Sequence, residues 1–241
     1  MGHILVTGSS RGIGRAALDA LAARGVKVIG HASRPVAQEP GGVPIIAADF
    51  GDPLSAAALW EEASDIAGGA IDAVVNNAGR FEANRLDRSD IEWLDAWEDT
   101  LRVNLTAAAQ LSRFAVLHWL ERRHPGRLVH VASRAAYRGD SPAHWHYAAA
   151  KSGMVGMHKT IARAYARDGI LSFAVTPGFT DTSMAGDYLA SRGGPGLLAD
   201  IPLGRVATPD EIAAIIAFCA LDAPPSMTGA VIDANGASFV R

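Results

Sequence analysis

The sequence predicts an α/β fold: a single domain built on a doubly wound parallel sheet with helices on both faces. Three observations carry that prediction. Short β-branched runs alternate with longer helical patterns from one end of the chain to the other. The stretches between those runs are long enough to hold crossover helices. No internal repeat, linker or compositional break divides the 241 residues, so one domain over 1–241 is the economical reading.

Taken in order, the strands fall at 4–7, 26–31, 43–47, 71–75, 127–132, 170–175 and 230–233. Several helix starts are written in the sequence. Thr208-Pro209-Asp210-Glu211 offers a capping hydroxyl, a proline at the first helical position and a glutamate that can close a capping box. Ser89-Asp90-Ile91-Glu92 repeats the capping-box spacing, and Asp52-Pro53 reads as a simpler cap-plus-proline start. A helix over about 145–167 carries Gly153 and Gly156, each costing roughly 1 kcal/mol of propensity relative to alanine. With Ala148, Ala149, Ala150 and Ser152 they form a surface that another backbone can approach closely, either the sheet or a second subunit.

Composition bounds the function. Hydrophobic residues make up 49% and charged residues 20%, enough for a sizeable core. A net charge of −3 gives no electrostatic footprint for nucleic acid. No apolar run reaches membrane-spanning length, and Ile4-Leu5-Val6 leaves no room for a signal peptide ahead of the fold. Cys219 is the single cysteine, which excludes an intrachain disulfide and argues against a cysteine metal site; beside Ile215-Ile216-Ala217-Phe218 it reads as a core residue. A cytoplasmic protein with no nucleic-acid or membrane partner is expected.

The first strand runs into Thr7-Gly8-Ser9-Ser10-Arg11-Gly12-Ile13-Gly14 and then a helical pattern. Glycines let such a turn adopt angles closed to other residues and let a phosphate approach the main chain, while the helix N-terminus behind offers N–H groups and a positive dipole end. The arrangement is Rossmann-like, and it lacks the Gly-Lys-Ser/Thr ending of a nucleoside-triphosphate loop. An acid at the end of the second strand would bond the ribose 2′-hydroxyl of NAD; here the stretch reads Gly30-His31-Ala32-Ser33-Arg34. Arg34, Ser33 and Arg11 can face a 2′-phosphate, which favours NADP(H) with NAD(H) as the alternative. His31 is read as an incidental loop histidine.

Tyr147-Ala148-Ala149-Ala150-Lys151 puts a phenol and an ammonium four apart, on one helix face. A tyrosine of ordinary pKa, about 10, is a poor base near neutrality, and a nearby cation is expected to lower it. Ser133, after the strand ending Val129-His130-Val131-Ala132, would meet Tyr147 at the carboxyl ends of the strands.

These motifs together resemble those of the short-chain dehydrogenase/reductase family, and the likeness extends over essentially the whole chain. The resemblance implies a cofactor turn at Gly8, Ser10, Arg11, Gly12, Ile13 and Gly14, and an adenine contact at Asp49 with Phe50 beside it. It implies that Asn77, Ala78 and Gly79, within Asn76-Asn77-Ala78-Gly79, support the central strand and the adenine ribose. Asn104, Ser133, Tyr147 and Lys151 match its catalytic tetrad. Pro177-Gly178-Phe179-Thr180-Asp181-Thr182 resembles the segment closing on the nicotinamide, with Pro177, Gly178, Thr180 and Thr182 as contacts. Pro202-Leu203-Gly204-Arg205 and Met227-Thr228-Gly229 also fit. The implied activity is hydride transfer between NADP(H) and a small carbonyl or secondary alcohol. Ser133 orients the substrate oxygen, Tyr147 moves the proton, Lys151 tunes Tyr147 and binds the ribose, and Asn104 holds a water. No metal is implied, and no histidine pair has metalloprotease spacing.

Two departures stand out. The Ser133–Tyr147 separation is slightly long, and the tail reads Asp233-Ala234-Asn235-Gly236 where many members have consecutive glycines. A silent nucleotide-binding regulator or scaffold is the competing function, disfavoured because the tyrosine and lysine are both kept. Arg80, Phe81, Arg134, Tyr137, Trp145, Phe179 and Met184 are candidate pocket liners, and His144 and His146 are expected in the substrate loop. A mobile cover is expected over 184–203. The 3-oxoacyl-carrier-protein reductases are among the nearest members in overall pattern, without fixing the substrate. The segment 89–123 and the glycine-bearing helix resemble the family's paired interface helices, implying a homotetramer or, alternatively, a dimer.

Overall fold

A computed structural model describes residues 2–37, 41–182 and 194–241. Seven parallel strands form the sheet: β1 (His3–Val6), β2 (Lys27–Ala32), β3 (Ile45–Ala47), β4 (Ile71–Asn76), β5 (Gly126–Val131), β6 (Ile170–Pro177) and β7 (Val231–Ala234). Each expected strand is present, with ends displaced by no more than two residues. Their order is β3-β2-β1-β4-β5-β6-β7. The chain winds outward from β1 to one edge, returns to the middle at β4, and winds outward to the other edge. The crevice between the carboxyl ends of β1 and β4 is therefore the switch point, where folds of this kind bind ligands.

Both sheet faces are covered, which is why the inner strands read as continuous apolar runs rather than alternating ones. On one face lie α1 (Gly12–Ala23) and a later helix over Pro209–Ala217, packing Ala17, Leu18 and Leu21 with Ile212, Ala213 and Ile216 against Val6, Val75 and Val129. Cys219 is buried in this cluster, and burial pushes its thiol up to about 11, so it is the core residue expected. On the other face, α2 (Ser55–Ile66) and α4 (Ala107–Arg122) supply Leu59, Ala63, Leu111 and Ala115 against Leu5, Ile29, Val74 and Leu128. The largest fully buried side chain, Trp119, belongs to this cluster and donates its indole N–H to the Ile71 carbonyl at 2.7 Å.

The capping boxes at Ser89 and Thr208 both form. The start expected at Asp52-Pro53 does not. The Asp52 carboxylate instead accepts the Leu54 N–H at 2.9 Å, closing a turn, and α2 begins at Ser55. Between α3 (Asp90–Leu101) and α4 the chain makes a π turn over Arg102–Thr106, so one nearly continuous rod runs from Asp90 to Arg122. A short α5 (Ala135–Arg138) precedes α6 (Trp145–Tyr165). The two glycines of α6 differ in surroundings. A Cβ on Gly153 would lie 2.8 Å from the Leu105 side chain, so this glycine serves close packing on the π turn rather than on the sheet. Gly156 is exposed with open space above it. The C-terminal part holds α7 (Gly194–Ala199) and α8 (Pro209–Ala217) before β7. Met184 and the first part of the expected cover, 184–193, lie outside the described residues.

Candidate active site

The glycine turn has the strained geometry its sequence requires. Gly8 and Gly12 take φ of +63° and +56°, and a Cβ on Gly14 would sit 2.1 Å from the Gly8 carbonyl oxygen. At the start of α1, Arg11 gives no side-chain cap and the first turn carries no acid, so the helix N-terminus presents unsatisfied N–H groups and an uncompensated dipole. That is a cradle suited to a pyrophosphate. The turn is braced from β4: the Thr7 hydroxyl accepts the N–H groups of Asn77 (2.9 Å) and Ala78 (3.0 Å), and the Asn77 amide donates to the carbonyls of Thr7 and Gly8. Asn77 therefore ties the segment after β4 to the turn. Alanine at Gly14 forces backbone apart, and we expect a loss of about 1–3 kcal/mol in stability, read by thermal unfolding, together with weaker NADPH binding by fluorescence titration. Wild-type values for both would show that the tight approach is unimportant.

Ser10, Arg11, Ser33 and Arg34 are exposed around this turn, and Arg11 and Arg34 carry no ion pair among the described residues. Asp49 is exposed and its carboxylate accepts the Gly51 N–H at 2.9 Å. The Phe50 ring, by contrast, is turned into the core, where it stacks on His31 at 4.3 Å. His31 is not a loop residue. It lies one residue before the end of β2, almost fully buried, and its ring bonds the turn itself. The register explains this: Val6 pairs with Gly30, so the residues just beyond them, where β1 becomes the turn, lie alongside His31. Thr182 reaches the same turn, 3.2 Å from where a Gly12 Cβ would lie.

The expected tetrad gathers beside it. Ser133 follows β5 and lies close enough to Tyr147 for its hydroxyl to favour the ionised phenol. Lys151, one turn further along α6, is buried and donates to the Val131 carbonyl at 2.8 Å, with its ammonium 5.7 Å from the Tyr147 ring centre. A Cβ on Gly79 would lie 2.7 Å from Asn104 Oδ1 and 3.7 Å from Lys151 Nζ, which puts the end of β4, the π turn and α6 at one point. Asn104 is wholly buried. Its Oδ1 accepts the Arg80 N–H, and its amide donates to the carbonyls of Arg80 and Thr100. A π turn is a common device for aiming a residue at a functional site, and residue spacing alone did not reveal it.

The electrostatics depart from expectation. Tyr147 is pushed up to about 12, chiefly by burial; the Ser133 hydroxyl opposes this and the Asp140 charge adds to it. Burial also pushes Lys151 down to about 8. The lowering of Tyr147 expected from a nearby ammonium is not seen: burial sets the direction of the shift, and the Lys151 N–H is directed to the Val131 carbonyl.

The candidate pocket liners divide. Phe81 meets the Tyr147 ring edge-on at 4.8 Å and stacks on His144 at 4.0 Å, so it packs between the two. Arg134, beside Ser133, lies over Phe179 at 4.6 Å. Arg80 pairs with Asp99 and Glu82. Tyr137 packs on Phe239 and Arg241 at the chain's tail rather than toward Tyr147, and Trp145 is half exposed. His144 and His146 lie by this wall, His146 stacking on Trp97.

The family model described as enoyl-(acyl carrier protein) reductase matches residues 8–236. The chain belongs to the short-chain dehydrogenase/reductase family. It is 36% identical to 3-oxoacyl-[acyl-carrier-protein] reductase FabG of Escherichia coli K12, covering 98% of this chain and 96% of that protein. The FabG of Vibrio cholerae gives the same identity and coverage. Among solved structures, a putative 2-deoxy-D-gluconate 3-dehydrogenase from Agrobacterium tumefaciens with bound NADP superposes with a TM-score of 0.85 at 27% identity, over 100% of this chain and 97% of that one. The ligand-free aldohexose dehydrogenase of Thermoplasma acidophilum gives 0.87 at 25% identity, over 100% and 94%. This short-chain dehydrogenase/reductase is an oxidoreductase. Among the described residues no helix is long and apolar enough to cross a membrane.

Proposed function

We propose that residues 1–241 act as one unit that reduces the carbonyl of a small molecule with NADPH, or oxidises the corresponding alcohol with NADP+. The observation that carries this reading is buried Lys151, its ammonium 5.7 Å from the Tyr147 ring centre, one crevice away from an uncapped, glycine-lined helix N-terminus. The nicotinamide, when bound, supplies or accepts the hydride. The chain supplies the rest. Gly8, Ser10, Arg11, Gly12, Ile13 and Gly14 hold the pyrophosphate, Asp49 and the backbone of Phe50 the adenine side, and Asn77, Ala78 and Gly79 the adenine ribose. Pro177, Gly178, Thr180 and Thr182 close over the nicotinamide. Ser133 orients the substrate oxygen and Tyr147 donates its proton there as negative charge develops. Burial keeps Tyr147 protonated, the state that reduction needs. Lys151 binds the nicotinamide ribose. Asn104, its amide fixed by Arg80 and Thr100, holds a proton-relaying water.

A 3-oxoacyl thioester is the first carbonyl to test, since the FabG relatives are named for that substrate. Sugar-derived and aromatic carbonyls complete the panel. NADPH oxidation with at least one of them is expected; none with any would remove the reading. The choice of NADP(H) rests on Arg34 and Arg11, exposed cations where no acid ends β2. Arg34→Asp removes a charge-assisted contact and adds repulsion, so the KM for NADPH should rise by about 10–100-fold while that for NADH changes little. An unchanged preference would overturn the assignment. A cytoplasmic location and a homotetramer, with a dimer as alternative, belong to the same reading; exposed Ile91, Leu94 and Gly156 on α3 and α6 support an interface there.

A further inference from the structure

His31 joins three segments that approach the cofactor site from different strands. Its Nδ1 accepts the N–H of Gly8, the first glycine of the turn, at 3.0 Å. Its Nε2 lies 2.7 Å from the Ala48 carbonyl, just before Asp49. Its ring stacks on Phe50, and its own backbone exchanges hydrogen bonds with Ser9, N–H to Oγ at 2.9 Å and carbonyl from the Ser9 N–H at 2.8 Å. Only one form of the imidazole satisfies both ring contacts: neutral, with the proton on Nε2 donated to Ala48 and Nδ1 left to accept from Gly8. Burial lowers the pKa of this ring, with the Ala48 carbonyl and the Asp49 charge opposing, which keeps it neutral.

We infer that His31 is a positioning residue of the cofactor site, holding the Gly8 N–H and the Ala48–Phe50 segment at a fixed separation so that the pyrophosphate turn and the adenine side are set before the cofactor arrives. The inference rests on the cofactor reading above and adds a determinant of affinity that touches no cofactor atom. A turn whose φ angles are positive at Gly8 and Gly12 has several accessible conformations, and freezing one of them in the free protein lowers the entropy lost on binding. The decisive contact is acceptance from Gly8, because it alone ties the imidazole to the turn's strained residue.

Three variants of the full chain separate this role from ordinary core packing. Asparagine puts a carbonyl oxygen near the place of Nδ1, glutamine puts a donor near the place of Nε2, and leucine keeps only the bulk. NADPH is titrated by fluorescence against wild type and each variant, with thermal unfolding and kcat at saturating NADPH measured alongside. His31→Leu and His31→Gln should raise the Kd for NADPH at least tenfold while kcat falls less than threefold. His31→Asn should recover most of the affinity. Packing alone predicts losses that follow Tm and no recovery by asparagine. Folded His31→Leu protein with wild-type affinity would overturn the inference, as would rescue by glutamine but not asparagine. If His31→Leu does not fold, the asparagine and glutamine variants decide the matter by themselves. Failure of wild type to bind NADPH would instead overturn the cofactor reading on which the inference rests.

Discussion

Replacing Tyr147 with phenylalanine is expected to cut NADPH-dependent carbonyl reduction by about 10²–10⁴-fold, the usual contribution of a positioned general acid. The substitution deletes a hydroxyl and little else. The ring keeps its edge-on contact with Phe81 at 4.8 Å and its place 5.7 Å from the Lys151 ammonium, so α6 has no reason to move. Ser133 keeps its bond from the Ala135 N–H at 3.1 Å. The loss should therefore fall on kcat, with NADPH affinity and Tm close to wild type. Single-turnover NADPH oxidation, fluorescence titration and thermal unfolding separate the three. A mutant that turns over as fast as wild type would eliminate Tyr147 as proton donor.

Stability should drop steeply between about pH 6.5 and pH 4, chiefly from two buried histidines outside the catalytic group, with buried His31 adding in the same direction. His130 on β5 and His158 on α6 are fully buried, with ring centres 5.9 Å apart. Burial, then the neighbouring His158 and Lys151 charges, pushes His130 down to about 3; burial pushes His158 down to about 4. Both start from 6.5 in the unfolded chain. A folded pKa below the unfolded one means that the unfolded chain takes up protons first as pH falls. Stability is therefore complete above about 6.5 and is lost through the interval down to the folded values. Each pH step of one between those two values costs roughly 1.4 kcal/mol per ring, so the pair together accounts for several kcal/mol by pH 4. His130 Nδ1 lies 3.3 Å from the Asn76 amide and His158 Nδ1 lies 2.8 Å from the Ser172 hydroxyl, so polar replacements can keep the local bonding. Urea unfolding at pH 5 and pH 7.5 should show a much smaller pH difference in a His130→Thr/His158→Ser double variant than in wild type. Equal differences would put the acid sensitivity elsewhere. The exposed Glu211–Arg205 pair, with its carboxylate lowered from 4.5 to about 2, contributes fully above 4.5 and is lost only below it, so it adds nothing between pH 7.5 and pH 5.

Much of the fold was legible because its signals are local. The β-branched runs, the capping boxes at Ser89 and Thr208 and the glycines of the turn each depend on a handful of neighbouring residues, and each formed as expected. Asp52-Pro53 misled because an aspartate can close a turn as readily as it caps a helix, and Leu54 N–H took its carboxylate. Tyr137 misled because aromatic side chains near a mouth look alike in sequence, whereas Phe239 and Arg241, about a hundred positions away, claimed this one.

The Tyr147 and Lys151 spacing, the glycine turn and the strand pattern were determined by the sequence itself, since helical and strand periods convert spacing directly into shared faces and order. Three matters were decided only by tertiary structure: the upward shift of Tyr147, the committed amide of Asn104 in its π turn, and the placement of His31 against Gly8. Desolvation sums over every atom that excludes water from a group, and the Gly8 bond exists only because parallel register lays β2 alongside β1. Neither quantity is carried by any short stretch of chain.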